Sequence, residues 1–130
     1  MELLPEGQTN QIEVLFEDQK KINEFSKLIH RKDLISTNLQ KQKQEKEYLE
    51  DVSLEIELID EDEFVNYKIT SNAFIKMKQA KLVEKLENDG EELDKIIDGL
   101  ENDIDEIDSR LSDLKNDLYT KFGDNINLER

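Results

Sequence analysis

"EFVNYKITSNAFIKM" (63–77) decides the fold, because it is the one stretch of the chain in which apolar and polar residues alternate. Val65, Tyr67 and Ile69 fall on one face of a strand, with Phe64, Asn66 and Lys68 on the other. Beyond the turn residues "TSN" (70–72), Ala73, Ile75 and Met77 again share a face. The pattern predicts a β-hairpin. Two strands alone are marginally stable in water, and "AFIKM" (73–77) has little beyond Lys76 and Lys78 to blunt a strand edge. Pairing with strands of other chains is therefore expected, with Val65, Tyr67, Ile69, Phe74, Ile75 and Met77 as the assembly residues. The alternative is that the hairpin packs back on the root of its own helices.

Outward from this stretch the period changes to that of a helix. After Leu86 and Leu93, apolar residues recur at Ile97, Leu100, Ile104, Ile107, Leu111, Leu114 and Leu118 in alternating steps of four and three, which is a heptad seam. A helix over 79–122 is predicted, stopping at Gly123 with Lys121 in its last turn. Upstream, Ile22, Phe25, Leu28, Ile29, Ile35, Leu39, Leu49, Val52, Ile56 and Ile59 mark a second stripe. Asn10 followed by Glu13 resembles a capping box, so this helix starts there or one to two turns later, near Phe16. The polar run "QKQKQEKE" (40–47) interrupts the stripe with helix-favouring residues and is read as a continuous helix in which lysine stems cover the seam. Gly90 falls on the second seam and Gly99 just off it, marking bends or close approach of the partner helix.

The two helical stretches are nearly equal, about 65 Å each at 1.5 Å per residue. Folding about a midpoint near Ile69 pairs Ile59 with Gln79, Val52 with Leu86, Ile35 with Ile104, Phe25 with Leu114 and Phe16 with Phe122, so the seams meet. The expected fold class is mainly α, a long antiparallel coiled coil joined by a β-hairpin that assembles with other chains. Its parts are a flexible N-terminus (1–9), helix 1 (10–59), the connector and hairpin as assembly body (60–78), helix 2 (79–122) and a C-terminal tail at the open end (123–130).

Composition excludes several functions. The 130 residues are 39% charged with a net charge of −15. Acids outnumber bases 14 to 6 over 79–122, but only 10 to 8 over 17–59. Phosphate binding needs a basic stripe, so nucleic acid is not expected as a partner. "MELLPEG" (1–7) has an acid where a signal peptide needs positive charge, and no stretch suits a membrane span. Without cysteine or an export signal, a cytoplasmic location is expected. The lone His30 sits among Lys27, Arg31 and Lys32 with no triad partner in view. "DGLENDIDEIDSR" (98–110) fails as a calcium loop, because Ile104 and Ile107 interrupt it as seam residues. No catalytic site, metal or cofactor is expected, and the chain does not read as an enzyme.

"FEDQKKINEF" (16–25), "LEDVSLEIELIDEDE" (49–63) and "YTKFGDNINLER" (119–130) resemble the β-type subunits of prefoldin, and the likeness spans essentially the whole chain. That resemblance implies a heterohexamer in which this chain joins two α-type and three further β-type subunits. Their hairpins would form a double β-barrel body from which six coiled coils hang. It further implies that non-native actin and tubulin bind near the coiled-coil tips and pass to the cytosolic chaperonin without ATP. Both ends of the chain should then lie at the tip, which gives Phe16, Leu118, Tyr119, Phe122, Ile126 and Leu128 as candidate client-binding residues. The alternative is that Phe16 and Phe122 close the last turn of the coiled coil, and the two roles are compatible. A passive tether would explain the helices but leave the hairpin without a purpose.

Overall fold

The computed structural model describes residues 15–70, 73–123 and 128, with backbone only at 68–70. The N-terminal segment, the Asn10–Glu13 cap, Ser71 and Asn72 of the turn and the candidate Ile126 lie outside the described residues. Four elements follow in order: α1 (Phe16–Glu57), β1 (Phe64–Thr70), β2 (Ala73–Lys78) and α2 (Gln79–Phe122). The chain divides into two compact units. A terminal unit combines Met1–Thr37 with Leu100–Arg130, and a hairpin unit comprises Asn38–Gly99. Both helices contribute to each.

In the terminal unit, α1 opens on Leu15, whose carbonyl accepts the first helical hydrogen bond from the Gln19 N–H at 3.0 Å. Leucine offers no side-chain acceptor, so only half of a capping box exists: Asp18, three residues on, accepts from the Leu15 N–H at 3.1 Å. Ile22 and Phe25 of α1 pack with Ile107, Leu111, Leu114, Leu118 and Phe122 of α2 in one buried cluster, flanked by half-buried Leu28, Ile29 and Ile35. Rising numbers on α1 meet falling numbers on α2, as Lys21 pairs with Asp117 and Lys32 with Asp108, so the helices run antiparallel here. Burial of each leucine or phenylalanine contributes roughly 2 kcal/mol, which carries a sequence otherwise too polar to collapse. α2 stops at Gly123, whose φ of 57° lies in the left-handed region that a helix C-terminus favours and glycine tolerates.

In the hairpin unit, Ile56, Leu82 and Leu86 are buried, with Leu49, Val52, Ile59 and Val83 packed around them. The polar run at 40–47 stays helical. Its seam passes through Gln42 and Lys46, which are half-buried while their neighbours are exposed. From Leu39 to Leu49 the heptad steps thus continue with polar residues in the seam. Lys46 sends its ammonium out to Asp94 on α2, so the stem covers the interface while the charge stays wet.

The end of α1 is closed by short backbone turns, in which the Leu58 N–H donates to the Glu55 carbonyl at 3.2 Å and the Ile59 N–H to the Ile56 carbonyl at 3.1 Å, but its charges are unfavourable. No basic residue occupies the last turn, and Glu55 and Glu57 put negative charge near the negative end of the helix dipole. Gln79, buried at the start of α2, adds a second donor to the Ile56 carbonyl: its side-chain amide donates there at 3.1 Å. Its backbone N–H donates to the Glu63 carbonyl at 2.8 Å, and the Glu63 N–H donates to the Asp60 carbonyl at 3.0 Å. One residue therefore ties the helix end, the acidic connector and the first turn of α2 together.

β1 and β2 pair antiparallel, with Phe64 opposite Lys78, Val65 opposite Met77, Asn66 opposite Lys76, Tyr67 opposite Ile75, Lys68 opposite Phe74 and Thr70 opposite Ala73. The register shifts between Lys68 and Thr70. Ile69 falls at this irregularity, between the paired Lys68 and Thr70.

Candidate functional site

Two places gather the residues singled out by the sequence. The first is the hairpin. Val65, Tyr67 and Met77 are half-buried and pack against the Ile56, Leu82 and Leu86 cluster of their own unit. This face therefore has a partner within the chain. Ile75 shares the row but is half exposed, while Phe64 and Phe74 are 55% and 61% exposed across the sheet. The Lys76 and Lys78 ammonium groups lie 5.8 and 5.9 Å from the Phe64 ring centroid, a wet cation–π arrangement rather than a buried contact. Leu54 and Leu58, at the end of α1, are exposed as well. The two-stranded sheet has no third strand among the described residues, so the outer edge of each strand is unpaired.

The second place is the terminal unit. Phe16 is 74% exposed, with the Lys20 ammonium 4.6 Å from its ring centroid, and Tyr119 is partly exposed. Leu118 and Phe122 are buried, and so is Leu128, which joins the same apolar cluster. The six candidates are thus not equivalent: two face solvent, three line the core, and Ile126 lies outside the described residues.

Charge pairs brace this unit. Arg110 grips Glu24 with two hydrogen bonds, Nε to Oε1 at 2.7 Å and an Nη to Oε2 at 2.9 Å, the fork geometry that makes an arginine–carboxylate pair directional. Hydrogen bonding to that guanidinium holds the Glu24 carboxyl below its usual range. Asp18, buried among its neighbours, bonds the Lys121 ammonium, and this contact, helped by the Leu15 N–H, lowers its carboxyl likewise. Asp18 accordingly serves two purposes, fixing the start of α1 and tying it to the last turn of α2. In the hairpin unit the hydrogen bond to Asp94 raises the Lys46 ammonium.

Sequence reasoning did not single out Gln79 or these cross-helix pairs. Helical spacing gives the seam, and a charge pair between helices becomes visible only once the two seams are in register. Among the described residues no group of His, Asp or Glu side chains is placed to hold a metal ion, and no helix is long and apolar enough to cross a membrane. The features on view are apolar surface, strand edges and ion pairs, which suit binding and assembly.

The whole chain is similar to known proteins. The family model described as "Prefoldin subunit" matches residues 19–125. Prefoldin subunit 4 of Saccharomyces cerevisiae is 64% identical over 130 residues, covering all of both chains. Prefoldin subunit 4 of Homo sapiens is 36% identical over 119 residues, 91% of this chain and 88% of the human one. In three dimensions the chain is similar to the prefoldin beta subunit from Thermococcus strain KS-1, with a TM-score of 0.76 over 87% of this chain and 98% of that one; at 18% identity this likeness speaks for the fold alone. The fold is mainly α with a β-hairpin, the chain is a non-enzymatic component, and it belongs to the prefoldin subunit family.

Proposed function

We propose that this chain is one subunit of a heterohexameric prefoldin, a cytoplasmic co-chaperone that holds non-native proteins, actin and tubulin among them, and hands them to the cytosolic chaperonin without ATP. In this reading the hairpin is the assembly element. Phe64, Phe74, Ile75 and the unpaired strand edges meet strands of the two α-type and three further β-type subunits to build a β-barrel body, while Val65, Tyr67 and Met77 fix the hairpin to its helices. Ile69, by its place beside the register shift, adjusts the strand to that body.

The terminal unit is the client-binding element. Phe16 and Tyr119 offer exposed aromatic surface, and Leu118, Phe122 and Leu128 supply an apolar floor beneath it; Ile126 belongs to the same tail. Several weak contacts on separate subunits would add up through avidity, which suits clients that share no sequence but all expose apolar segments.

The observation that carries this reading is a hairpin that keeps Phe64, Phe74 and Ile75 exposed next to two strand edges left unpaired among the described residues. The test is suppression of aggregation of actin diluted from denaturant by the complex co-purified with this chain, with and without ATP. Equal suppression in both conditions is expected. No suppression, or suppression only with ATP, would overturn the reading.

A further inference from the structure

In the hairpin unit an open groove of about 620 Å³ lies between α1 and α2, and none of its lining residues belongs to β1 or β2. On α1 it extends from Lys46 to Leu54, two helical turns or about 12 Å. Its floor is apolar: Leu86 is buried, Leu49 is half-buried, and Leu54 stands 65% exposed at one side. Gly90 leaves that floor uncovered. A Cβ there would already touch Leu49 Cδ2 at 3.5 Å, and anything larger would spread over the leucine. Glycine is the poorest helix former after proline, and nothing within the unit requires it at this position.

The walls of the groove are acidic. Glu50, Glu87, Glu91 and Asp94 face a single base, Lys46, which is paired with Asp94 and lies 3.9 Å from Glu50. Glu87 and Glu91 are exposed and make no ion pair with any described residue. One turn apart on α2, they set two negative charges about 6 Å apart along the groove.

This pattern selects among occupants. A second copy of the chain would bring acid to acid, since acids outnumber bases in both helices and the net charge is −15. The chain's own ends fit no better: "MELLPEG" (1–7) carries two acids and no lysine or arginine, and "DNINLER" (124–130) two acids and one arginine. A strand finds no edge to join between two helices, whereas a helix laid along them can bring its backbone close to Gly90. We propose that this groove docks a basic amphipathic helix of a protein outside the assembly. An aliphatic stripe of that helix sits on Leu49, Leu54 and Leu86, while lysine or arginine side chains one turn apart reach Glu87 and Glu91. This docking surface goes beyond the holding function, for it uses neither the strand edges nor the terminal unit.

The test titrates the full chain, assembled with its partner subunits, with a labelled peptide AQKLAAKLAAKLAQ, whose leucines recur every turn beside a row of lysines. Saturable binding that weakens as salt is raised is expected. Gly90→Leu fills the groove without changing charge, and Leu54→Gln removes an exposed apolar contact; each should weaken binding by about tenfold. Glu87→Gln with Glu91→Gln should weaken it by about threefold. Asp105→Asn with Glu106→Gln, the same loss of charge on exposed residues of the terminal unit, should leave it unchanged. Circular dichroism of each variant checks that the helices stay folded. Absence of binding, or unchanged binding by both Gly90→Leu and Leu54→Gln, would overturn the proposal. Equal loss from the two charge changes would also overturn it, as general attraction of a cation to an acidic surface. Binding to the chain alone but not to the assembled complex would put a fellow subunit in the groove and overturn it as well.

Discussion

Replacing each of three glycines with alanine should separate two roles that the sequence leaves mixed. Gly90 and Gly99 lie inside α2 with helical backbone, and Gly123 sits past its end at a φ of 57°. A Cβ built on Gly90 would lie 3.5 Å from Cδ2 of Leu49, an ordinary van der Waals contact, and one on Gly99 would meet nothing within 4 Å. Neither position therefore needs glycine for space within the chain. Alanine restricts the unfolded backbone and should stabilise the helix by roughly 1 kcal/mol at each site. The two sites are nine residues apart, about 13 Å along the helix, so the effects should add to about 2 kcal/mol. Gly123→Ala should act in the opposite sense, costing about 1 kcal/mol, because a Cβ crowds the carbonyl in the left-handed region. Thermal melts followed by circular dichroism at 222 nm, at fixed protein concentration, give the answer: increases of a few degrees for Gly90→Ala and Gly99→Ala, and a decrease for Gly123→Ala. A drop for Gly90→Ala would refute the reasoning and mean that another backbone approaches α2 at that point.

Gln79→Ala removes one of two donors to the Ile56 carbonyl, the Ile59 N–H remaining, and should cost about 0.5–1.5 kcal/mol, with increased amide exchange at the end of α1 as its signature. Acid should loosen the terminal unit first. The Asp18 and Glu24 carboxyls are held below their usual range, so the stability they confer is fully present above the unfolded-state carboxylate values near pH 4 and is lost as the pH falls through their lowered folded-state values. Carboxyl titrations followed by NMR should show both groups titrating below the exposed acids, and titration at ordinary values would contradict the pairing.

The seam over 93–118 was legible because heptad spacing survives a highly charged background, and the hairpin because alternation by two contrasts with its helical flanks. At 40–47 hydropathy leaves a gap, but the helix-favouring composition reads as continuous helix with lysine stems over the seam, as Lys46 shows; only its pairing with Asp94 carries no signal. Ile69 marks another limit, since the register shift beside it depends on the geometry of pairing rather than on residue order. In the terminal unit, the sequence identified an apolar set but not its division into exposed Phe16 and Tyr119 and buried Leu118, Phe122 and Leu128. Leu118 and Phe122 continue the seam by steps of four, whereas Leu128 lies beyond the last periodic residue and so carried no such signal. Gln79 had no signal either, because a glutamine that opens a helix reads the same whether it meets water or a carbonyl of another helix.

The central claim is that the exposed part of the hairpin is an assembly surface. Phe74→Asp with Ile75→Asp tests it more cleanly than changes at Val65 or Tyr67, since those two pack on the chain's own cluster and altering them would also disturb the hairpin unit. The measurement is the native mass of the complex formed when this chain is co-expressed with its partner subunits. The account predicts a six-chain particle with the unaltered chain, and loss of this chain from the particle when both aspartates are present, its helical content intact. Undiminished incorporation of the doubly altered chain, or a two-chain particle with the unaltered one, would contradict it.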